Sequence, residues 1–269
     1  MSPKIVDKER LQVREQELLD VALSIIEREG VAGLNMDRLA AQVPYSKGTI
    51  YNHFSSKEDL LIGVCCQGIR ILTALFSKAG TFAGSSRERI MAQHLAYLLY
   101  ALLYPNRFLL VISAMSPTLI ERTSKQRREE VQTLEAALLE TVLTIVDESI
   151  AKGDFTLPPY MNRKQVAFAN WSTSFGTIAL LTNDTESCEC RRGLSLDREL
   201  FNNTNLILDG LGWKPLSSEI NTAALIEQLL SEIFSEEREM LESNGISLDL
   251  LAPHDTTTDP LDNFFGTHS

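Results

Sequence analysis

The sequence of 269 residues is poor in cysteine and in aromatic residues, with four cysteines and 7% Phe, Trp and Tyr. Four cysteines are too few for a disulfide framework in a chain of this length, which favours a cytosolic protein. No uninterrupted apolar run reaches the roughly 18 residues that indicate a membrane span. The N-terminus also lacks the apolar core of a secretory signal. We therefore expect a cytoplasmic protein with no membrane partner.

Signatures of catalysis are missing as well. We find no glycine-rich phosphate loop, no nucleophile elbow and no cluster of metal ligands. The four histidines are scattered along the chain, at His53, His94, His254 and His268. The sequence therefore argues against an enzyme and predicts neither a catalytic residue, a metal site nor a cofactor.

Two cysteines in a polar segment leave one alternative open. Cys188 and Cys190 are separated by one residue and are followed by Arg191 and Arg192. Nearby cations lower the pKa of a thiol, so a redox-sensing role is conceivable for this pair. Two cysteines alone make an incomplete zinc site. Inert loop cysteines are the simpler interpretation.

The net charge of −11 is concentrated at one end of the chain. Residues 219–269 contain eleven acidic residues and one basic residue, whereas residues 1–60 contain ten and eight. Total charge therefore says little about the N-terminal region, where placement on one face matters more. We expect the acidic C-terminal helix to lie far from any surface that meets a polyanion.

Helical periodicity dominates the chain, and no segment alternates with period two. We expect an all-α fold of nine to ten helices, with a small N-terminal unit over residues 1–56 and a larger helical domain over residues 57–250. Residues 251–269 show no periodicity, and we expect a disordered tail there. The predicted helices cover residues 10–29, 36–43, 46–53, 57–78, 87–103, 105–114, 123–151, 162–182, 194–211 and 216–243.

Two of these helices are short and joined by a tight turn, which is typical of a helix-turn-helix. In the second, Ile50 and Phe54 are four residues apart and can pack on the preceding helices. The remaining positions are small or hydrogen-bonding and suit phosphates and base edges in a major groove. These candidate contact residues are Tyr45, Ser46, Lys47, Thr49, Tyr51, Asn52 and His53.

Several segments together resemble a known family. In order and spacing over about residues 11–64, they are similar to the N-terminal domain of the tetracycline-repressor-like (TetR) regulators. The segments are LLDVA (18–22), REG (28–30), NMDRLA (35–40) and SKGTIYNHFSSKEDLL (46–61). The resemblance implies that Lys47, Thr49, Tyr51, Asn52 and His53 contact DNA, and that Asn35 and Lys57 contact phosphates. Pro44 departs from the pattern, because the family usually has glycine in this turn.

The same resemblance implies a variable helical domain for ligand binding and dimerisation. It predicts a regulator, of the repressor type, that binds a palindromic operator in double-stranded DNA as a homodimer. The dimer would form through helices 162–182 and 194–211, and a small apolar or amphipathic effector would control DNA binding. A helical dimer that acts through protein partners is the alternative. Candidate pocket residues are Ile69, Phe76, His94, Tyr97, Met115, Leu138, Trp171 and Phe175, for each of which ordinary core packing is the competing interpretation.

Overall fold

The computed structural model describes residues 3–114, 117–182 and 188–251, and within these ranges it contains helices and no strands. The all-α prediction is confirmed, although the predicted nine to ten helices are too few. Met115 and residues 252–269 of the expected tail lie outside the described residues. The α-helices are α1 (Pro3–Gly33), α2 (Met36–Gln42), α3 (Lys47–His53), α4 (Lys57–Gly80), α5 (Ser86–Leu103), α6 (Pro105–Ala114), α7 (Pro117–Glu121), α8 (Lys125–Lys152), α9 (Arg163–Leu181), α10 (Leu196–Gly210), α11 (Thr222–Glu232) and α12 (Ser235–Ser243).

The predicted single helix over residues 216–243 is wrong. A 3₁₀ turn at Ser217–Glu219 precedes α11, and the chain breaks again between α11 and α12. At this second break Phe234 leaves the helical conformation and buries its ring completely in the larger core. Neither glycine nor proline is present at this break. We attribute the interruption of the helix to the burial of the Phe234 ring.

Side-chain caps define the starts of the first short helices. Asn35 Oδ1 accepts a hydrogen bond from the Arg38 amide at 2.8 Å, and Ser46 Oγ accepts one from the Thr49 amide at 3.2 Å. Ser56 caps α4 in the same way. Each such cap stabilises its helix by about 1 kcal/mol. Near the end of α1, Gly30 has φ 71° and ψ 174°, a conformation that glycine adopts readily, and it kinks the helix at the position where the sequence predicts a stop.

Helix α4 contributes to two hydrophobic cores. Its first turns pack with α1, α2 and α3 in an N-terminal core that also receives Leu110 of α6 and Leu119 of α7. Its later turns pack with α5, α9, α10, α11 and α12 in the larger core. The members from α4 are Leu60, Leu61, Ile62, Val64 and Cys66 in the first core, and Leu72, Leu75 and Ala79 in the second. The N-terminal unit is therefore continuous with the larger bundle through one helix.

A buried carboxylate fastens the start of α4 to the start of α8. Asp59 is 3% exposed. One of its oxygens accepts hydrogen bonds from the amide and hydroxyl of Ser55, at 3.0 and 3.1 Å. The other accepts them from the amide and hydroxyl of Ser124, at 3.1 and 2.8 Å. Because a charged acceptor makes the stronger hydrogen bonds, this junction holds the two helices in register where the N-terminal unit meets the bundle.

The acidic C-terminal segment packs at the opposite end of α4. Lys78 Nζ lies 2.8 Å from a Glu237 oxygen and 3.4 Å from a Glu236 oxygen. Since Lys78 comes 21 residues after Lys57 on α4, it lies about 32 Å from Lys57. The expected separation of the acidic helix from the N-terminal unit is thus observed for α12.

By length and composition alone, α4 could cross a membrane, although charged and polar residues interrupt its apolar sequence. More than half of its apolar window is buried inside the protein. One such helix is weak evidence, because the core helix of a soluble protein has the same composition.

A close approach in the middle of α4 gives a testable prediction. A methyl group on Gly68 would collide with the hydroxyl of Tyr100, whereas Arg107 Cβ would lie at an acceptable 3.7 Å. We expect Gly68→Ala to destabilise the wild-type protein by about 1–3 kcal/mol through this overlap. In a Tyr100→Phe background the same substitution should be neutral or stabilising by about 1 kcal/mol, because alanine is the better helix former. Free energies of unfolding from denaturant titrations measure both, and an equal cost in the two backgrounds would rule out the overlap.

Candidate nucleic-acid interface and internal cavity

The turn between α2 and α3 accommodates Pro44 without a left-handed residue. Val43 and Ser46 have extended backbones, with φ −125°, ψ 150° and φ −65°, ψ 152°. No non-glycine residue among those described has a positive φ. A proline is compatible with this path because its own φ is fixed near −65°. The glycine usual in the family is therefore not required by the geometry of this turn.

Helix α3 has one buried side and one exposed side. Ile50 is 1% exposed and Phe54 is fully buried, so both anchor α3 in the N-terminal core, as the sequence predicts. Tyr51 and Asn52 are exposed. Thr49 is half-buried, and its Oγ1 is 2.9 Å from Ser46 Oγ. The exposed side therefore presents short hydrogen-bonding groups and one aromatic ring.

The exposed cation of α3 has a partner within the unit. Lys47 Nζ lies 2.7 Å from an Asp37 oxygen of α2, and this hydrogen bond raises the pKa of Lys47. Both side chains are largely exposed, so the pair is a weak surface interaction that a phosphate can replace. Asn35 is exposed, but its Oδ1 already accepts the hydrogen bond that caps α2.

The structure corrects the placement of His53. The imidazole is only 6% exposed and its Nδ1 lies 3.9 Å from a Glu15 oxygen of α1. Burial, as the largest cause, lowers the pKa of His53. The side chain is therefore not on the exposed stripe with Thr49 and Asn52, although helical spacing alone groups them.

Two further candidates are held by groups of the protein. The Tyr45 hydroxyl donates to the Glu17 carboxylate, and the Arg14 guanidinium lies 5.1 Å from the centre of the Tyr45 ring. This hydrogen bond to Glu17 is the largest cause that raises the pKa of Tyr45. Lys57 Nζ donates to the Val31 carbonyl at 3.0 Å. Both side chains would have to leave these partners before they could contact a nucleic acid.

A cavity of about 650 Å³ lies between α4, α5, α8 and α9. Its lining is mainly apolar, which is typical of sites for small molecules. The structure brings together six of the predicted pocket residues, namely Ile69, Phe76, His94, Tyr97, Leu138 and Trp171. Phe175 is not on the cavity wall; its ring packs 5.6 Å from the centre of Phe108 and 5.9 Å from that of Trp171. Its assignment to the lining is therefore wrong, and it supports the wall from behind.

The polar groups in the middle of the cavity satisfy one another. His94 Nε2 lies 3.0 Å from Asn170 Oδ1, and His94 Nδ1 is hydrogen-bonded to Ser174 Oγ. Burial lowers the pKa of His94 to about 4, so the ring is neutral at pH 7. Tyr97 Oη accepts a hydrogen bond from Trp171 Nε1 at 3.1 Å, and burial raises the pKa of Tyr97 to about 12.

Sequence reasoning missed the charged residues of the cavity wall. Arg107, Arg128, Glu135 and Lys164 all line it. A charged residue on an amphipathic helix is ordinarily assigned to the solvent face. Only the packing of α6, α8 and α9 around the cavity shows that these side chains border it.

The cysteines fall into two groups. Burial raises the pKa values of Cys65 and Cys66 to about 12, which makes both thiols unreactive. The Sγ atoms of Cys188 and Cys190 are 3.4 Å apart, and a hydrogen bond with Arg191 is the first cause that lowers the pKa of Cys188. In the part of the chain that is described, no three His, Cys, Asp or Glu side chains are grouped to hold a metal ion. A redox role for Cys188 and Cys190 stays a prediction.

Residues 18–64 match the model of the bacterial regulatory proteins of the tetR family. The chain carries the N-terminal domain of that family. An uncharacterized HTH-type transcriptional regulator of Mycobacterium bovis is 39% identical over 57 residues, which are 21% of this chain and 28% of that protein. The chain thus matches well under half the length of this curated relative.

Solved structures extend the likeness to about three quarters of the chain. A protein with unknown function from Rhodococcus sp. RHA1 is 24% identical, with 74% of this chain and 95% of that chain covered and a TM-score of 0.59. The TetR family regulator PfmR from Thermus thermophilus is 20% identical, with 72% and 98% covered and a TM-score of 0.53. FadR from Bacillus subtilis, solved with stearoyl-CoA, is 15% identical, with 72% and 98% covered and a TM-score of 0.54. At these identities the likeness shows the fold: a TetR-type domain followed by a larger helical domain.

The buried histidine of the cavity predicts a loss of stability in acid. The pKa of His94 falls from its ordinary value near 6.5 to about 4 on folding. Between these pH values the unfolded chain binds more protons, so the stability from this group is present above pH 6.5 and is lost as the pH falls to 4. The loss is about 3 kcal/mol over this range.

Denaturant unfolding at pH 7 and pH 4.5 tests this sign. His94→Leu should be less stable than wild type at pH 7, because Ser174 and Asn170 lose a partner, but it should lose less stability on acidification. His53→Gln is measured in the same way for comparison, because burial also lowers the pKa of His53. An unchanged pH dependence in His94→Leu would show that the imidazole is not buried in its neutral form.

Proposed function

We propose that the protein is a DNA-binding transcription regulator whose affinity for its operator is controlled by a small molecule in the cavity. One observation carries this proposal. The TetR-type helix-turn-helix is followed directly by α4, whose first turns pack in the N-terminal core and which forms a cavity wall from Ile62 to Phe76. A ligand that displaces α4 would therefore act on the same helix that supports α3. We place this activity in the cytoplasm, with double-stranded DNA as the partner.

The proposed reading surface is the exposed side of α3. Asn52, Tyr51 and Lys47 are exposed, and Thr49 lies beside them. Their amide, hydroxyl and ammonium groups match base edges and phosphates in a major groove. Asn35 and Ser46 contribute first as helix caps and lie close enough to the same surface to meet the backbone. Lys57 stays a predicted phosphate contact, for which its ammonium group would have to leave the Val31 carbonyl and bind DNA. Tyr45 and His53 are not part of the proposed reading surface.

A two-fold operator requires a two-fold protein, and α9 and α10 offer a surface for a homodimer. The two helices pack on each other and leave large apolar side chains in solvent. Leu180 of α9 is 59% exposed and Leu206 of α10 is 71% exposed. Burying such side chains against a second copy of the chain would remove them from water. We propose a homodimer through these helices, close to the predicted ranges 162–182 and 194–211.

Control by an effector needs different affinities for two arrangements of the dimer. A ligand shifts the equilibrium only by the ratio of its affinities for the two forms. The mainly apolar lining favours an apolar or amphipathic molecule, and FadR, which has the same fold, was solved with stearoyl-CoA. We propose repression relieved by the effector, in line with the resemblance to repressors. A dimer that acts through protein partners would use the same bundle without DNA.

The reading surface can be tested by substitution. We expect Thr49→Ala with Asn52→Ala to weaken binding to the operator, selected from a random-sequence DNA pool, by about 1–3 kcal/mol per lost base contact. The size of the dimer in solution should not change, because neither residue is in a core. Fluorescence anisotropy with labelled DNA measures the affinity at a fixed salt concentration.

Two controls separate this interpretation from its alternatives. Gln126→Ala removes a similarly exposed amide at the start of α8 and should leave the operator affinity unchanged. Non-specific DNA should bind the wild type and the double variant about equally. If the double variant binds the operator as tightly as wild type, α3 is not the reading helix. If the wild type selects no DNA at all, the protein-partner alternative holds.

A further inference from the structure

We propose that the cavity binds an amphipathic anion, with its carboxylate or phosphate head at Arg107 and its apolar chain along α4 and α8. This inference rests on the proposed effector role of the cavity and names the chemical class of the effector. It depends on one cation in the wall, on the donors around it and on the shape of the apolar space beside it.

Arg107 borders the cavity without a carboxylate partner among the described residues. Its Nε is buried and has no hydrogen-bond acceptor. Its Nη2 makes one long hydrogen bond, at 3.4 Å, to Gln67 Oε1, and the guanidinium lies 5.6 Å from the centre of the Tyr104 ring. A guanidinium has five N–H donors in a fork that matches a carboxylate or phosphate. The side chains and backbone of the described residues therefore leave most of the donor capacity of Arg107 without an acceptor.

The neighbour of Arg107 has a second unused donor. Gln67 is 7% exposed, and its Nε2 is buried without an acceptor. Buried donors without partners are rare in folded proteins, and two of them on one contacting pair call for an explanation. Gln67 Oε1 holds the guanidinium, and this places an amide donor next to it. An anionic head at Arg107 would bring acceptor oxygens to the part of the cavity beside Gly68.

Tyr100 adds a hydroxyl to the same region. It lines the cavity, and both its hydroxyl and Cβ of Arg107 lie close to the space above Gly68. Burial raises the pKa of Tyr100, so the hydroxyl keeps its proton and can donate to an anion. The absence of a side chain at Gly68 makes room for this hydroxyl. Arg107 and Tyr100 thus form a donor pair on one side of α4.

The other charged groups of the wall are consistent with an anion. Arg128 donates to the carbonyls of Ile120 and Thr123, so part of its donor capacity is already used. Lys164 lies at the start of α9. Glu135 is the one carboxyl among the lining residues, and burial raises its pKa. Three cations and one carboxyl give the lining a positive balance, while His94 is neutral and both of its nitrogens are already bonded.

The apolar part of the cavity is long. On α4 the lining extends from Ile62 to Phe76, and on α8 from Arg128 to Val142. Fourteen residues of helix rise about 21 Å, and from Gly68, beside Arg107, the α4 wall continues for about 12 Å to Phe76, so the space fits an extended alkyl chain better than a compact ring. Ile69, Leu72 and Leu138 line the space between these ends.

The location of Arg107 suggests how a bound head group would influence the N-terminal unit through α6. Arg107 is on α6, and Leu110, one helical turn later, is 2% exposed in the N-terminal core. A head group that draws Arg107 inward would move α6 against that core. The head group of the ligand would therefore displace α6 near the helix-turn-helix, and its alkyl chain would provide affinity.

Calorimetric titration of the full chain with dodecanoate, dodecyl phosphate and dodecan-1-ol tests the proposal. We expect at least one of the two anions to bind about tenfold more tightly than the alcohol, because charge-assisted hydrogen bonds are lost with the neutral head. The better anion identifies the source, carboxylate or phosphate. Arg107→Gln should remove this preference and leave the alcohol affinity unchanged, whereas Lys164→Gln should keep it.

The wild-type comparison alone is decisive if Arg107→Gln does not fold. Equal binding of all three probes, or a preference for the alcohol, would overturn the proposal. A preference that survives in folded Arg107→Gln would overturn the assignment to Arg107. Operator affinity measured with each probe separates the two levels of inference. An Arg107-dependent preference without any change in operator affinity would support the anion site and refute effector control.

Discussion

Helix α4 buries its side chains in two places at once, and the rest of the structure depends on this. Leu60, Leu61 and Val64 complete the N-terminal core, while Leu72 and Leu75 belong to the larger one. A helix is stiff over this length, so a displacement at one end is transmitted to the other and not absorbed between them. The Asp59 hydrogen bonds to Ser124 add α8 to the same junction. The two helices that meet at this junction therefore also both line the cavity.

The distribution of charge follows the same axis. The acidic α12 is bound to Lys78 near the far end of α4, about 32 Å from Lys57 at its start. A net charge of −11 is compatible with DNA binding because the acidic side chains of α12 lie about four Debye lengths from that start at physiological salt. The α3 surface carries only one cation, Lys47, already paired with Asp37. Recognition here would depend on hydrogen bonds more than on a strong positive field.

Local signals were sufficient for much of the fold. Asn35, Ser46 and Ser56 begin their helices by the capping chemistry that their sequence positions indicate, and Ile50 and Phe54 are buried as helical spacing predicts. The spacing of residues along a helix does not show from which side α1 packs on α3 or α6 packs on α4. His53 turns against Glu15 of α1, and Arg107 borders the cavity only because α6 packs on α4. The break at Phe234 has the same origin, since a tertiary contact and not a local breaker ends α11.

The claim that one helix links DNA reading to the cavity can be measured without knowing the effector. Amide hydrogen exchange of the full chain is followed with and without an operator selected from random DNA, and with non-specific DNA as the control. Because coupling between sites is reciprocal, operator binding should change exchange in α4 beyond its first turns, through Ile69 to Phe76 on the cavity wall. The facing part of α8 should respond with it. Changes confined to α2, α3 and the first turn of α4 would contradict the account.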